Sequence, residues 1–389
     1  MSTLRLFAFV ILATLFSTNA HALKSAHSDF STSPISNGEQ KWRLGYYEGG
    51  AHGNYYEYLS AVIQGLMELG WIDRVDVPRH QDKDTRAMWS WLSRNVSSDY
   101  LEFVNDAYYS AHWDLDIRRR LRKELIDRVG KRRDLDLIFA LGTWAGKDLA
   151  SDEHSIPVIV MSTSDPVGSG IIRSVDDSGR DHVHARVDPF RYERQVRVFH
   201  DIIHFGRLGV AYENTPDGRN YAAMEMVEKV ARERGFEVLR CHTKSDIADQ
   251  NLAGESVLDC FKRLAEKADA IYVTLQGGVN AETIPRLVRI ANRHRVPTFS
   301  QAGSEEVEYG FLLSISRPSF KAVGLFLAAT VAKVLNGAKP RELNQLFEES
   351  PNIAINLKTA EVIGLYLYAD VLAAADEIYR EISIPEQAP

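Results

Sequence analysis

The chain repeatedly sets a short, nearly unbroken apolar run against a longer stretch in which apolar residues recur every three or four positions, starting near Lys41. Short apolar runs bounded by Asp, Gly or Pro suit strands buried on both faces, and the 3.6-residue period suits helices that cover them. Residues 43–47 read as the first strand. Behind it Leu59, Val62, Ile63, Leu66 and Met67 fall at i, i+3, i+4, i+7 and i+8, which predicts an amphipathic helix capped by Asn54 and stopped by Gly70. Residues 135–141 and 157–161 are the next strands. Before them, residues 80–133 carry Trp89, Trp91, Tyr108, Tyr109 and Trp113 among many charges, and read as a helical insertion in a first lobe.

A second round begins at Asp188-Pro189, where Asp reads as a helix cap, Pro as the first helical residue, and Tyr192, Val196, Phe199 and Ile203 as one face. Strands follow at 208–212, 236–241, 270–275, 297–300 and 311–314, with helices near 219–234, 255–267, 281–294 and 320–335. Gly337 ends the last of these, and a helix near 367–380 closes the chain. Two rounds of strand and helix predict an α/β protein of two Rossmann-like, doubly wound lobes, and 389 residues suit two domains better than one core.

The first residues break this pattern. Arg5, the apolar run 6–16 and the small-x-small string Ala20-His21-Ala22 predict a signal peptide over 1–22, cleaved on export to the periplasm. No Cys follows the cleavage site, so no lipid attachment is expected. Residues 23–40 are Ser-rich and aperiodic, and read as a flexible leader. The formal charge of -7 and pI near 6.0 argue against nucleic acid as the main partner. The basic stretch 118–133 reads as a solvated helix face, with docking of an acidic partner as the alternative. Cys241 and Cys260 could pair in an oxidising compartment, one on a strand and the other on the following helix.

Ligands of open parallel sheets bind beyond the carboxyl ends of the strands, so candidate residues can be taken from those ends. In the first lobe they are Tyr46, Tyr47, Glu48 and Gly49, then Thr143 and Trp144, then Ser162, Ser164 and Asp165. In the second they are Glu213 and Asn214, Gln276 and Gly277, and Gln301. Glycines permit close backbone approach, amides and hydroxyls orient a polar ligand, and aromatics stack on it, although each is also ordinary turn chemistry. There is no GxSxG, GxxxxGK[ST], HExxH, CxxC or GxGxxG string, so neither an enzyme nor a cofactor is expected. His182 with His184 and His200 with His204 have metal-compatible spacing but lack companions, and no metal is expected.

Gly142-Thr143, the apolar run 156–161 and the string Ser164-Asp165-Pro166-Val167-Gly168-Ser169-Gly170-Ile171-Ile172 resemble the ABC transporter substrate-binding family of the type 1 periplasmic-binding-protein fold. Ile355-Asn356-Leu357-Lys358-Thr359-Ala360 with Gly364, Leu372 and Ala375-Asp376 is similar to that family's closing motif, as are Gly45-Tyr46-Tyr47 and Gly324. The resemblance implies lobes joined by three crossings, the first formed by 41–187 with about 318–340 and the second by 188–317 with about 341–381. It also implies a small polar solute, an amino acid among the options, held between closing lobes and delivered to a membrane permease with an ATPase subunit. If the ligand is an amino acid, its carboxylate should meet loop amides or Ser/Thr groups, its ammonium Asp165 or Glu48, and its side chain Tyr46, Tyr47 or Trp144. The turn Asp176-Asp177-Ser178-Gly179 departs from the family pattern. A periplasmic sensor signalling to a membrane receptor, and an enzyme of the interlobe cleft, are the alternatives.

Overall fold

The computed structural model describes residues 30–78, 83–316, 319–348 and 351–385; the segment read as a signal peptide lies outside them. The first lobe contains β1 (Trp42–Glu48), α1 (Gly53–Glu68), α2 (Thr85–Asn95), β2 (Leu101–Ser110), α3 (Leu115–Lys131), β3 (Leu137–Leu141), α4 (Gly142–Leu149), β4 (Val158–Met161) and β5 (Val183–Ala185). The second opens with α5 (Arg191–Ile203), β6 (Arg207–Glu213), α6 (Pro216–Tyr221), α7 (Met224–Arg234), β7 (Glu237–Thr243) and α8 (Gln250–Ala265). It continues with β8 (Ala270–Val273), α9 (Ile284–Arg293), β9 (Thr298–Ser300), α10 (Ser304–Glu308) and β10 (Leu313–Ser316). Then come α11 (Lys321–Leu335), β11 (Asn352–Asn356), α12 (Leu357–Ile363), α13 (Ala369–Ala373) and β12 (Glu377–Tyr379).

The strands form two sheets, ordered β2-β1-β3-β4-β5 and β12-β11-β10-β9-β8-β6-β7, parallel throughout except between β10 and β11. Each is covered on both faces. On β1, Leu44 and Tyr46 enter the core beneath α1, α2 and α11, while Tyr47 enters the core on the opposite face beneath α4. The second sheet has corresponding cores, one around Val210, Tyr212, Tyr272 and Phe299 and the other around Ala211, Ile271, Val273 and Phe261. The two-lobed α/β reading therefore holds.

The chain passes between the lobes three times, after β5, after β10 and before β11. α11 returns to the first lobe and lies against α1, where Val323, Leu327 and Val331 complete the core. Residues 341–347 also stay with the first lobe, where the Val187 and Phe347 amides donate to the Gln345 and Val187 carbonyls. The last crossing thus lies beyond Phe347, rather than near 341.

Several expectations are corrected. The segment 80–133 is no insertion: β2 within it pairs in parallel with β1, so it is a regular part of the first sheet. Much of the basic charge of its α3 is paired, Arg118 with Asp148, Arg119 with Asp116, Arg122 with Glu153, Arg128 with Asp106 and Asp134, and Lys131 with Asp127, while Arg120 and Lys123 are exposed to solvent. His52, not Asn54, caps α1, its Nδ1 accepting from the Asn54 amide at 3.2 Å. α5 begins at Arg191, and Asp188 instead accepts from Arg194 at 2.9 Å. In place of a helix over 367–380 there are the short α13 and then the strand β12.

The described part of the leader, 30–40, is tied down. The carbonyls of Thr32, Ser33 and Ile35 accept hydrogen bonds from Trp71 Nε1, Asn336 Nδ2 and Trp42 Nε1. An aperiodic segment can be ordered when its backbone partners come from elsewhere in the chain.

Cys241 on β7 and Cys260 on α8 form a disulfide across 19 residues of sequence. Replacing both by Ala is expected to cost roughly 2–4 kcal/mol by releasing a loop in the unfolded chain. Urea unfolding checks this; an unchanged midpoint would contradict it.

Candidate functional site

In each sheet the chain leaves its first strand toward one edge and later returns on the other side. The switch points lie between β1 and β3 in the first sheet and between β6 and β8 in the second. Loops diverge beyond the carboxyl ends of such strands and leave a crevice. The two crevices come together across a cleft. Lys147 of α4 meets Asp217 of α6 at 2.7 Å, Asn220 Nδ2 donates to Ser169 Oγ at 3.3 Å, and Lys83 meets Glu305 at 3.2 Å.

On the first-lobe side, Glu48 ends β1 as a buried carboxylate. Tyr46 and Thr85 donate to its Oε2 at 2.6 and 2.9 Å, and Tyr108 donates to Oε1 at 3.0 Å. Burial outweighs these donors and raises its pKa. Gly49 and Gly50 follow, under the indole of Trp113: a Cβ on them would stand 2.9 and 2.6 Å from that ring. Trp113 adopts positive φ, as does His112, and its ring packs edge-on against Trp144 at 5.4 Å. At β3, Gly142 has φ +83°, and α4 starts there with no side chain capping its amides. Above Gly142 stands the Tyr55 hydroxyl, 1.8 Å from where a Cβ would be. Tyr55 belongs to the first turn of α1 and is 6% exposed.

On the second-lobe side, β7 is followed by Ser245 and Asp246. Tyr221 donates to Asp246 Oδ2 at 2.7 Å and Ser245 to Oδ1 at 3.2 Å, while the Asp246 amide donates to Glu213 at 3.3 Å. Burial first, with the neighbouring Glu213 and Asp217 charges, pushes the Asp246 carboxyl up to about 6. Burial first, and then the charges of Glu48 in its own lobe and Asp246 in the other, push the Tyr55 hydroxyl's pKa up.

The residues taken from strand ends divide. Tyr46 and Tyr47 are fully buried: Tyr46 stacks on Tyr108 at 4.9 Å, and Tyr47 donates to Asp148 at 2.6 Å. Thr143 and Trp144 are buried at the start of α4, with Arg118 over the Trp144 ring at 4.5 Å. Asp165 closes its own turn by accepting from the Gly168 amide at 2.8 Å, and Ser164 lies beside it; Ser162 adopts positive φ. Asn214 is exposed. Gln276 braces Ala211 and Thr243, Gly277 donates its amide to Ser245, and Gln301 holds the Tyr221 carbonyl at 2.8 Å. These residues shape the rim or support it. Tyr55, Tyr221 and Asp246 are absent from the strand-end set; continuing strand 236–241 to its true end at Thr243 would have pointed to Asp246.

The His200 and His204 rings meet edge-on at 6.4 Å, but among the described residues neither histidine pair gathers the further ligands a metal ion needs. His182 lies against His154, His184 is buried against the Asn344 carbonyl, and His204 is the left-handed cap that ends α5. Among the described residues no group of three or more His, Cys, Asp or Glu could hold a metal ion. No described helix is long and apolar enough to cross a membrane.

Residues 99–379 match a family model described as ABC transporter substrate binding protein. A curated tyrosine-binding protein of Clostridioides difficile (strain R20291) is 21% identical over 232 residues, which are 59% of this chain and 63% of that protein. The match thus spans less than two-thirds of that relative. Among solved structures, a conserved domain protein of Vibrio cholerae aligns with TM-score 0.64 and 21% identity, covering 87% of this chain and all of that one. An ABC domain of Streptococcus pneumonia in complex with L-Trp aligns with TM-score 0.65 and 19% identity, with the same coverage.

Proposed function

Because the chain belongs to the ABC transporter substrate-binding protein family, we propose that it captures an amino acid between its lobes, in the periplasm, and presents the closed form to a membrane permease driven by an ATPase subunit. The carrying observation is the ring of interlobe contacts around the two switch points, Lys147–Asp217, Asn220–Ser169 and Lys83–Glu305. Contacts made only when the lobes meet, together with a ligand touching both, shift the population toward the closed form. The uncapped amides at the start of α4 suit a carboxylate. The related proteins named for tyrosine and crystallised with L-Trp support an aromatic side chain. The reading makes the chain a carrier that binds without turnover.

The test is a thermal-shift panel of the amino acids followed by small-angle scattering. A ligand at a hundred times its Kd adds about 2.7 kcal/mol of stability, so L-tyrosine or L-tryptophan should raise Tm by roughly 5 °C or more and reduce the radius of gyration. Flat melting curves across the panel would reject the amino-acid reading. A bound ligand without compaction would reject closure.

A further inference from the structure

We propose that Asp246 is the counter-ion for a cationic nitrogen of the ligand, which makes this cleft a site for primary amines. The proposal rests on reading the cleft as the solute site, and it moves the ammonium from Glu48 or Asp165 to the opposite lobe.

The first-lobe candidates are already occupied. Glu48 accepts from three hydroxyls and is buried beneath α2. Asp165 is used by its own turn. The other carboxylates around the cleft have partners as well: Asp217 has Lys147, Glu305 has Lys83, and Glu306 accepts from Ser300 at 2.6 Å. Asp246 differs. Each of its oxygens accepts one neutral hydroxyl, from Tyr221 or Ser245, and no Lys, Arg or His of the described residues forms an ion pair with it. A carboxylate offers about four acceptor positions, so two remain.

Tyr55 supplies an independent sign. It comes from the other lobe, is 94% buried by its 6% exposure, and its hydroxyl has no hydrogen-bond partner among the described residues. A hydroxyl that no protein group satisfies at a cleft is free to bond a ligand atom. An ammonium has three donors. One can go to Asp246 and one to the Tyr55 oxygen. The groups acting on Asp246 are Tyr221, Ser245, Glu213, Asp217 and Tyr55, and Lys147, which meets Asp217 across the cleft, is held by that carboxylate. Burial and its acidic neighbours make ionised Asp246 costly, and an arriving cation relieves that cost.

Titration calorimetry with three probes separates the possibilities: L-tyrosine, tyramine, which lacks the carboxylate, and 3-(4-hydroxyphenyl)propionate, which lacks the amine. Asp246→Asn is expected to weaken L-tyrosine and tyramine at least 100-fold while leaving the propionate within about twofold. Tyr55→Phe should weaken only the two amines, by roughly tenfold. Wild-type affinity for L-tyrosine should fall as pH drops through about 6, where Asp246 takes up a proton, and the Asp246→Asn profile should be flat there. Unchanged amine binding in Asp246→Asn, or equal loss of all three probes, overturns the proposal. Tyramine binding that depends on Asp246, without L-tyrosine binding, keeps the proposal and overturns the amino-acid reading. No binding of either amine overturns both.

Discussion

Gly324→Val is expected to destabilise the protein by about 2–3 kcal/mol, the range of an overpacked core. α11 crosses α1 at a point where backbones approach closely: a Cβ on Gly324 would stand 2.4 Å from the Ala61 carbonyl oxygen. On the facing helix, a Cβ on Gly65 would stand 2.7 Å from Ala328 Cβ and 3.0 Å from the Gly324 carbonyl. Backbone cannot rotate away as a side chain can, so the helices must separate. Separation costs contacts of Val323, Leu327 and Val331 with the first-lobe core. Valine's better helix propensity returns only about 0.4 kcal/mol. Gly130→Ala is the control, because Gly130 lies within α3 and a Cβ there would meet nothing within 4 Å. It should gain up to about 1 kcal/mol. Urea unfolding reads both; a Gly324→Val midpoint equal to wild type would mean that the helices do not meet as described.

That contact also marks where sequence patterns stop being informative. The 3.6 period identifies α1 and α11 as helices and Gly324 as unusual in an apolar run, but nothing local says that α11 leaves the second lobe to pack on α1. Strands buried on both faces, such as β3 and β4, are continuous apolar runs and were legible. β2 was not, because as an edge strand it exposes Glu102, Asn105 and Asp106 between its buried residues. β11 and β12 are short and end the sheet, where pairing partners rather than composition decide the conformation.

The site was legible as a location and less so as a set of side chains. Taking Tyr46 and Tyr47 from the end of β1 overlooked that the strand continues to Glu48, so alternation sends one tyrosine into each core. Glu48 lies at the true end, but its hydroxyl partners come from α2 and β2, distant in sequence. Tyr55 precedes the apolar face of α1 that the 3.6 period picks out, and nothing local marks its hydroxyl. Only the tertiary fold lifts its hydroxyl over Gly142.

Gly142→Ala is therefore expected to lower ligand affinity roughly 100-fold, about the value of two interactions near 1.4 kcal/mol each. Two effects act together. Gly142 has φ +83°, a region L-residues adopt at a cost, so the first turn of α4 must relax and its free amides shift. The new methyl would also stand 1.8 Å from the Tyr55 hydroxyl, which no rotation of a methyl relieves, so the Tyr55 ring must leave its place over Gly142. A double-mutant cycle with Tyr55→Ala separates the two effects. With the ring removed, the methyl has space, and Gly142→Ala should cost only the backbone strain, roughly tenfold in affinity. Calorimetry with L-tyrosine across the four proteins reads the coupling. If Gly142→Ala costs the same with and without the Tyr55 ring, the loss arises in the α4 turn alone, and the hydroxyl over Gly142 has no part in holding the ligand.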